Sequence, residues 1–330
     1  MWNKNLIYDR ITSMRKKSKK KISIVLPCFN EQDNIVPISA EILKYFDNEL
    51  KAYDYELLFI DNNSSDLTRD RIKDLCKKNK KIKAIFNLKN FGQFNSPFYG
   101  LINSSGDASI LMATDFQDPP KLILDFVKYW EEGYEVVVGV KDRSYENFII
   151  KLFKKLYYSL IKKFSDSDQV KMFTGFGLYD KTFVDVLRNV DDPTPFLRGL
   201  VAEYAPHRKE VKFKQGKRRA GKSSNTFYTL YDAAMLSFTS YTKIGLRVAT
   251  FVGFFFSFVF MLIALIYLVL KLIYWDRFAA GQAPLLIGML FLGSIQIFFI
   301  GLLGEYVLSI NQRVMHRPIV IEKERINFEV

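Results

Sequence analysis

An α/β domain with a mostly parallel sheet, followed by two membrane-spanning helices, is the architecture this 330-residue chain predicts. Three observations carry that expectation. Short apolar runs alternate with helix-like stretches over residues 22–140, the pattern of parallel strands joined by crossover helices. The last third holds two long runs without a single charge. Polar and acidic residues gather just after the apolar runs, where sheets of this kind hold their ligands.

The strand-like runs are Ile22–Cys28, Glu56–Asn62, Lys83–Leu88, Ser109–Asp115 and Glu135–Val140. Between them, Ile35–Leu50, Leu67–Lys78, Asn95–Asn103 and Lys121–Trp130 have helical composition. An apolar fraction of 49% with 15% aromatics excludes wholesale disorder. Two cysteines, Cys28 and Cys76, cannot build a disulfide framework, which suits a reducing compartment. Two histidines, His207 and His316, argue against a histidine-rich metal site.

The charge-free runs lie between Arg247 and Lys271, 23 residues, and between Arg277 and Glu305, 27 residues. About 20 helical residues cross a hydrocarbon core. Lys243 and Arg247 precede the first run, and Arg313, Arg317, Lys323 and Arg325 follow the second. The loop between them holds only Lys271, Asp276 and Arg277. By the positive-inside rule both chain ends are expected on the cytoplasmic face of the inner (plasma) membrane. The chain thus divides into a basic tail (1–21), an α/β domain (22–225), a juxtamembrane helix (226–247), a two-helix membrane region (248–308) and a cytoplasmic tail (309–330). Phe148–Phe164 interleaves aromatics and leucines with Lys151, Lys154, Lys155, Lys162 and Lys163, as expected of a cationic helix lying in the lipid interface.

The net charge is +13, from 48 Lys and Arg against 35 Asp and Glu. Such a surplus favours anionic partners. The basic residues cluster beside the apolar runs, so the expected partners are phosphorylated ligands and a lipid bilayer, not nucleic acid. The 15–21 run, Arg-Lys-Lys-Ser-Lys-Lys-Lys, reads either as a solvated tail or as one lying on anionic headgroups. It is not a signal peptide, because the apolar run after it is short and Asn30-Glu31-Gln32-Asp33 stands where a cleavage site is needed. Gly288, Gly293, Gly301 and Gly304 are read equally as a close-packing surface for a homo-oligomer or as ordinary glycine use in spans.

At the strand ends stand Pro27-Cys28-Phe29-Asn30-Glu31, then Asp61 to Asp66, then Ala113-Thr114-Asp115-Phe116-Gln117-Asp118, and finally Lys141 and Arg143. Asp115 and Gln117, two residues apart, both offer oxygen to one hard cation. Taken with their order, the stretches IVLPCFNEQDNI, LLFIDNNSSDLT, NFGQFNSPFYGL, MATDFQDPP, GVKDR, FLRGLVAEY, KRRAGKSSNTFYTLYDA and GEYVLSINQRVMHRP resemble the family 2 glycosyltransferases of the GT-A fold. Within them the chain is similar to the polyprenyl-phosphate glycosyltransferases, over roughly residues 20–320. The resemblance implies inverting transfer of a hexose from a nucleotide-sugar, with uridine as the expected base, to undecaprenyl phosphate, with Mg2+ or Mn2+, in cell-envelope glycan modification. It implies nucleotide-sugar contacts at Pro27, Phe29, Asn30, Glu31, Asp61, Asn90, Gly92, Ala113, Thr114, Asp115 and Gln117. Asp115 and Gln117 are the implied metal ligands. Asp118 is implied to face the donor sugar, and Lys141, Arg143 and Arg218 the acceptor phosphate.

There are departures. Ala113-Thr114-Asp115 replaces the family's D-A-D, so one carboxylate is missing; Thr174-Gly175-Phe176-Gly177 lacks the family's acidic and basic pair; Ser224 stands where a lysine is usual. Three other readings compete. Gly216–Ser223 fits a P-loop, as in an NTP hydrolase. The loss at Ala113 fits a catalytically degenerate scaffold. A processive polysaccharide synthase is opposed by the absence of a Q-x-x-R-W segment: the tryptophans are Trp2, Trp130 and Trp275.

Overall fold

The computed structural model describes residues 19–142, 170, 172–216, 218, 235, 244–274 and 282–328. Arg143, the basic run before Lys19, the amphipathic stretch 148–164, Lys222 and most of the juxtamembrane segment lie outside the described residues. The described residues form two compact units. One holds everything up to 142, the stretch from 170 to 218 and the residues from 318 onward; the other holds 235 and the long helices.

The first unit is built on one eight-stranded sheet of order β7-β5-β6-β4-β1-β2-β3-β8. Its strands are β1 (Lys21–Cys28), β2 (Asp54–Asp61), β3 (Ile82–Asn87), β4 (Ala108–Leu111), β5 (Val136–Lys141), β6 (Phe173–Asp180), β7 (Lys209–Phe213) and β8 (Glu322–Ile326). Six helices pack on it: α1 (Gln32–Asp47), α2 (Thr68–Lys78), α3 (Gly92–Ile102), α4 (Leu122–Glu131), α5 (Lys181–Arg188) and α6 (Leu197–Tyr204). The central strands β4, β1, β2 and β3 are parallel.

Central strands covered on both faces must be apolar on both sides. Ile22, Ile24 and Leu26 join Leu57, Phe59, Ile35, Ile38, Ile72 and Phe126 in one cluster, on the face covered by α1, α2 and α4. Val25, Leu58, Ile60 and Ile85 join Phe98, Leu101, Val184, Leu187 and Leu200 in the other, under α3, α5 and α6. Both clusters are buried, so the sheet cannot slide by one residue without exchanging its two faces.

Three parts of the sheet differ from the sequence expectation. β4 stops at Leu111, not Asp115: the Met112 N–H still donates to the Val25 carbonyl, but the chain turns at Thr114–Asp115. β6, antiparallel to both β4 and β5, had no strand signal: Gly175 and Gly177 interrupt its alternation. Gly177 is required there, since a Cβ would lie 2.5 Å from the Val137 carbonyl oxygen. β8 falls in the segment read as a tail. It pairs antiparallel with β3, the Leu88 N–H donates to the Ile321 carbonyl at 2.9 Å, and Asn327 donates to the carbonyls of Cys76 and Ile82 at 2.8 and 2.7 Å. Its Glu-Lys-Glu-Arg-Ile sequence is that of a solvated edge strand, which charge protects from further pairing.

The second unit contains α7 (Ile244–Ile273, 30 residues) and α8 (Gln282–Val314, 33 residues). α7 covers the first charge-free run and α8 most of the second. Within α8, Phe291–Asn311 is long and apolar enough to cross a membrane, with a mean hydropathy of 1.7 and none of it buried. It is the one such stretch among the described residues, where the sequence predicted two. The helices meet through the rings of Phe256 and Phe291, 6.1 Å apart.

Gly177→Ala should lower the stability of the full chain in detergent by about 1–3 kcal/mol, the usual cost of overpacking, whereas Gly253→Ala, where a Cβ meets nothing within 4 Å, should not. Equal thermal midpoints for the two variants would contradict the β5–β6 packing.

Candidate active site

From β1 the sheet grows through β2 and β3 on one side and through β4 on the other. The crevice beyond the carboxyl ends of β1 and β4 is therefore the topological switch point, where open α/β sheets bind ligands. The residues brought there are 28–31 after β1 and 112–118 after β4. The Thr114 hydroxyl donates to the Pro27 carbonyl at 3.3 Å and stitches the two loops together.

The loop after β4 is closed by its own acids. Asp118 Oδ2 accepts the Ala113 N–H at 3.1 Å, and Asp115 Oδ1 accepts the Gln117 N–H at 3.1 Å. Phe116 between them has φ +62, left-handed backbone held by these bonds. Thr114, Asp115 and Asp118 are buried; Ala113 and Gln117 are half-buried.

A segment after β7 folds onto this turn. The Gly216 N–H donates to the Gln117 carbonyl at 3.1 Å. A Cβ on Gly216 would lie 2.7 Å from the Phe116 carbonyl oxygen, so only glycine allows this approach. Two residues on, Arg218 reaches between the two loops. Its Nε lies 3.1 Å from Asp115 Oδ2 and its Nη2 lies 3.1 Å from Glu31 Oε1. Its buried Nη1 has no partner among the described residues. The start of the P-loop-like stretch thus packs against the strand-end acids. Arg218, expected beside an acceptor phosphate, stands between two carboxylates.

Glu31 is held in place from behind. Asn34 Nδ2 donates to Glu31 Oε2 at 2.6 Å, and the Glu31 N–H donates to Thr68 Oγ1 at 2.9 Å. Asn30, with φ +55, donates its N–H to Ser64 Oγ and accepts the Ser65 N–H on Oδ1, at 2.9 and 2.8 Å. The loops after β1 and β2 are thereby one unit. Pro27 and Phe29 are half-buried beside them.

Asp61 is wholly buried. Its Oδ2 takes the Arg69 Nε at 2.6 Å, and both of its oxygens lie 3.2 Å from the Ser64 N–H. Arg69 also donates to Asn63 Oδ1 and the Asn87 carbonyl, at 3.0 and 2.9 Å. Asn62 fastens the next loop: its Nδ2 donates to Asn90 Oδ1 at 2.8 Å and to the Gly92 carbonyl at 3.1 Å, and its Oδ1 accepts the Phe91 N–H at 2.8 Å. Gly92 takes φ +87. Neither Arg69 nor the clamp by Asn62 is visible in the sequence, because nothing local couples these residues.

Burial dominates the electrostatics. It pushes the Asp118 carboxyl up to about 6; Asp115 adds to this, while the Ala113 N–H and the Lys141 ammonium at the end of β5 oppose it. Burial also raises Glu31, against the Asn34 hydrogen bond and the Arg218 charge. Burial, with Asp61 and Glu31 nearby, raises the Cys28 thiol well above its ordinary range, so it is no nucleophile.

Among the described residues no group of three or more His, Cys, Asp and Glu could hold a metal ion alone. Glu31 and Asp115 nonetheless accommodate one positive group between them. Such a donor set fits a hard cation when the ligand itself supplies further oxygens.

The Asp118 carboxyl is easier to protonate in the folded chain than in the unfolded one. Its contribution to stability is complete below about pH 4 and is lost as pH rises through about 6. Asp118→Asn should remove that loss, on the order of 3 kcal/mol for a carboxyl moved from 3.8 to about 6. Denaturant unfolding at pH 4 and pH 7 measures it; the same pH dependence in both proteins would contradict the burial of Asp118.

The chain matches the family model for glycosyl transferase family 2 over residues 23–187. The bactoprenol glucosyl transferase of Shigella phage SfV is 30% identical over 304 residues, covering 92% of this chain and 98% of its own. The prophage bactoprenol glucosyl transferase homolog of Escherichia coli K12 is 30% identical over 291 residues, covering 87% of this chain and 93% of its own. A GT-A-type α/β sheet with acids at its switch point, and likeness along nearly the whole length, make this chain a glycosyltransferase that belongs to family 2.

Proposed function

We propose that this enzyme moves one sugar from a nucleotide-sugar, with uridine as the expected base, to a polyprenyl phosphate, undecaprenyl phosphate being the expected acceptor. The observation that carries this reading is the pair of buried acids, Glu31 and Asp115, sharing one cation at the switch point. The relatives' name, bactoprenol glucosyl transferase, supports a prenyl acceptor. The apolar stretch Phe291–Asn311 and the charge-free run in α7 support an anchor of two spans in the inner membrane, with the catalytic unit cytoplasmic.

The nucleophile is an acceptor phosphate oxygen. With a second pKa near ~6 it is already deprotonated at neutral pH, so no residue need act as general base. Its oxygen forms a bond to the anomeric carbon as the bond to the diphosphate breaks, and the electron pair leaves on the diphosphate. In-line attack inverts the anomeric carbon.

The protein's task is to hold two anions together and orient the sugar. The loops carrying Pro27, Phe29, Asn30, Asp61, Asn90 and Gly92 seat the nucleoside, with Asp61 acting through Arg69 and the Ser64 turn. Asp115 and Gln117 would hold Mg2+ or Mn2+. That cation would supply Lewis-acid stabilisation of the leaving group. Asp118, fixed by the Ala113 N–H, takes the donor sugar's hydroxyls, and Lys141 and Arg143 offset acceptor charge.

Membranes carrying the protein, incubated with undecaprenyl phosphate and a panel of labelled nucleotide-sugars, should put label from one donor into the lipid extract. Asp115→Ala should reduce that label ~100-fold or more, as when one preorganised stabiliser is lost, and chelator should do the same. Undiminished lipid label in both cases would contradict the role of Asp115, and label appearing only in water-soluble polymer would contradict the acceptor.

A further inference from the structure

We propose that Arg218 is a built-in counter-ion that fills the donor seat of the donor-free protein, competes there with the divalent cation, and is released by donor binding to meet the acceptor's phosphate. The inference rests on the seat between Glu31 and Asp115 being the diphosphate site.

Two buried carboxylates facing one crevice repel each other. A positive group must separate them, and in this structure it is a guanidinium, 3.1 Å from each. Divalent cations sit closer to their oxygens, at about 2.0–2.6 Å. A guanidinium and a metal ion cannot both occupy the space between Glu31 Oε1 and Asp115 Oδ2, so the two occupancies exclude each other.

The seated arginine is incompletely satisfied. Two of its nitrogens face carboxylates, but buried Nη1 has no partner among the described residues. A buried donor without a partner is a penalty that another partner relieves. A phosphate matches the planar guanidinium fork better than two separate single contacts do. The position of Gly216 supports such a movement. Gly216 is pinned to the Gln117 carbonyl at 3.1 Å, so the segment stays attached to the turn while the side chain two residues along leaves the seat.

The consequence is an order of events. Until donor and cation arrive, Arg218 neutralises the acids and is withheld from the acceptor. Once they occupy the seat, the arginine is free for the incoming phosphate. Donor binding thereby prepares the acceptor site, with no further conformational element required.

Mn2+ binding to the full chain in detergent, at a fixed concentration of UDP that supplies the diphosphate oxygens and without lipid, reads this competition through the EPR signal of free Mn2+ against a UDP-only blank. Arg218→Ala should bind Mn2+ at least ~10-fold more tightly than wild type, a difference of about 1.4 kcal/mol. Arg218→Gln, which keeps the shape and loses the charge, should show the same gain should the alanine variant fail to fold. Adding Asp115→Ala should abolish the gain. Equal Mn2+ affinities in wild type and variants, or no Mn2+ binding in any of them, would overturn the proposal. The test involves neither donor sugar nor lipid. Tighter Mn2+ binding without sugar transfer to polyprenyl phosphate would therefore leave the competition standing and remove the polyprenyl-phosphate acceptor, while intact transfer with unchanged Mn2+ affinity would remove the competition alone.

Discussion

Two carboxylates held out of water at the ends of β1 and β4 need a positive partner, and the catalytic unit is arranged around that need. Their position follows from strand order. β1 lies between β2 and β4, so the loops after β1 and β4 part and leave a crevice. Glu31 is fixed in it by Asn34 and Thr68, and Asp115 by the backbone of its own turn. In such a dry setting an unpaired acid takes up a proton or recruits a cation. Asp118, held by the Ala113 N–H, is moved toward protonation by burial; Glu31, also raised by burial, shares Arg218 with Asp115.

The surrounding polar network serves rigidity. Asn62 ties the end of β2 to the Asn90–Gly92 loop, Arg69 ties Asp61 to the end of β3, and β8 covers the outer edge of β3 beside Leu88. Each loop at the crevice is thus held by a side chain from a neighbouring loop. Fixed dipoles and charges of this kind stabilise a departing diphosphate without reorganising during the reaction. With a phosphate as the proposed nucleophile, no tuned base is needed, and the loss of one acid at Ala113 removes no proton acceptor from that reaction.

Much of this was legible in the chain. The parallel strands stood out because both faces of β1 to β3 are buried, which forces nearly unbroken apolar runs. The acids at their ends stood out because the polar clusters follow those runs directly. Antiparallel β6 did not, since its two glycines serve backbone contact and erase alternation. β8 did not, because an edge strand is written in charge. The partner of Asp115 was invisible for a different reason: Arg218 is 103 residues from Asp115 and 187 from Glu31. Its motif suggested an anion, and only the fold puts it between acids. Likewise Asp61 read as a ligand contact, and only three dimensions reveal Arg69 closing on it.

A structure of the full chain with a nucleoside diphosphate and Mn2+, with the metal located by its anomalous scattering, tests the central claim most directly. The account predicts the metal against Asp115, the diphosphate over the ends of β1 and β4, and the Arg218 guanidinium withdrawn from between Glu31 and Asp115. A diphosphate bound while Arg218 still bridges the two acids, or bound away from that crevice, would contradict it.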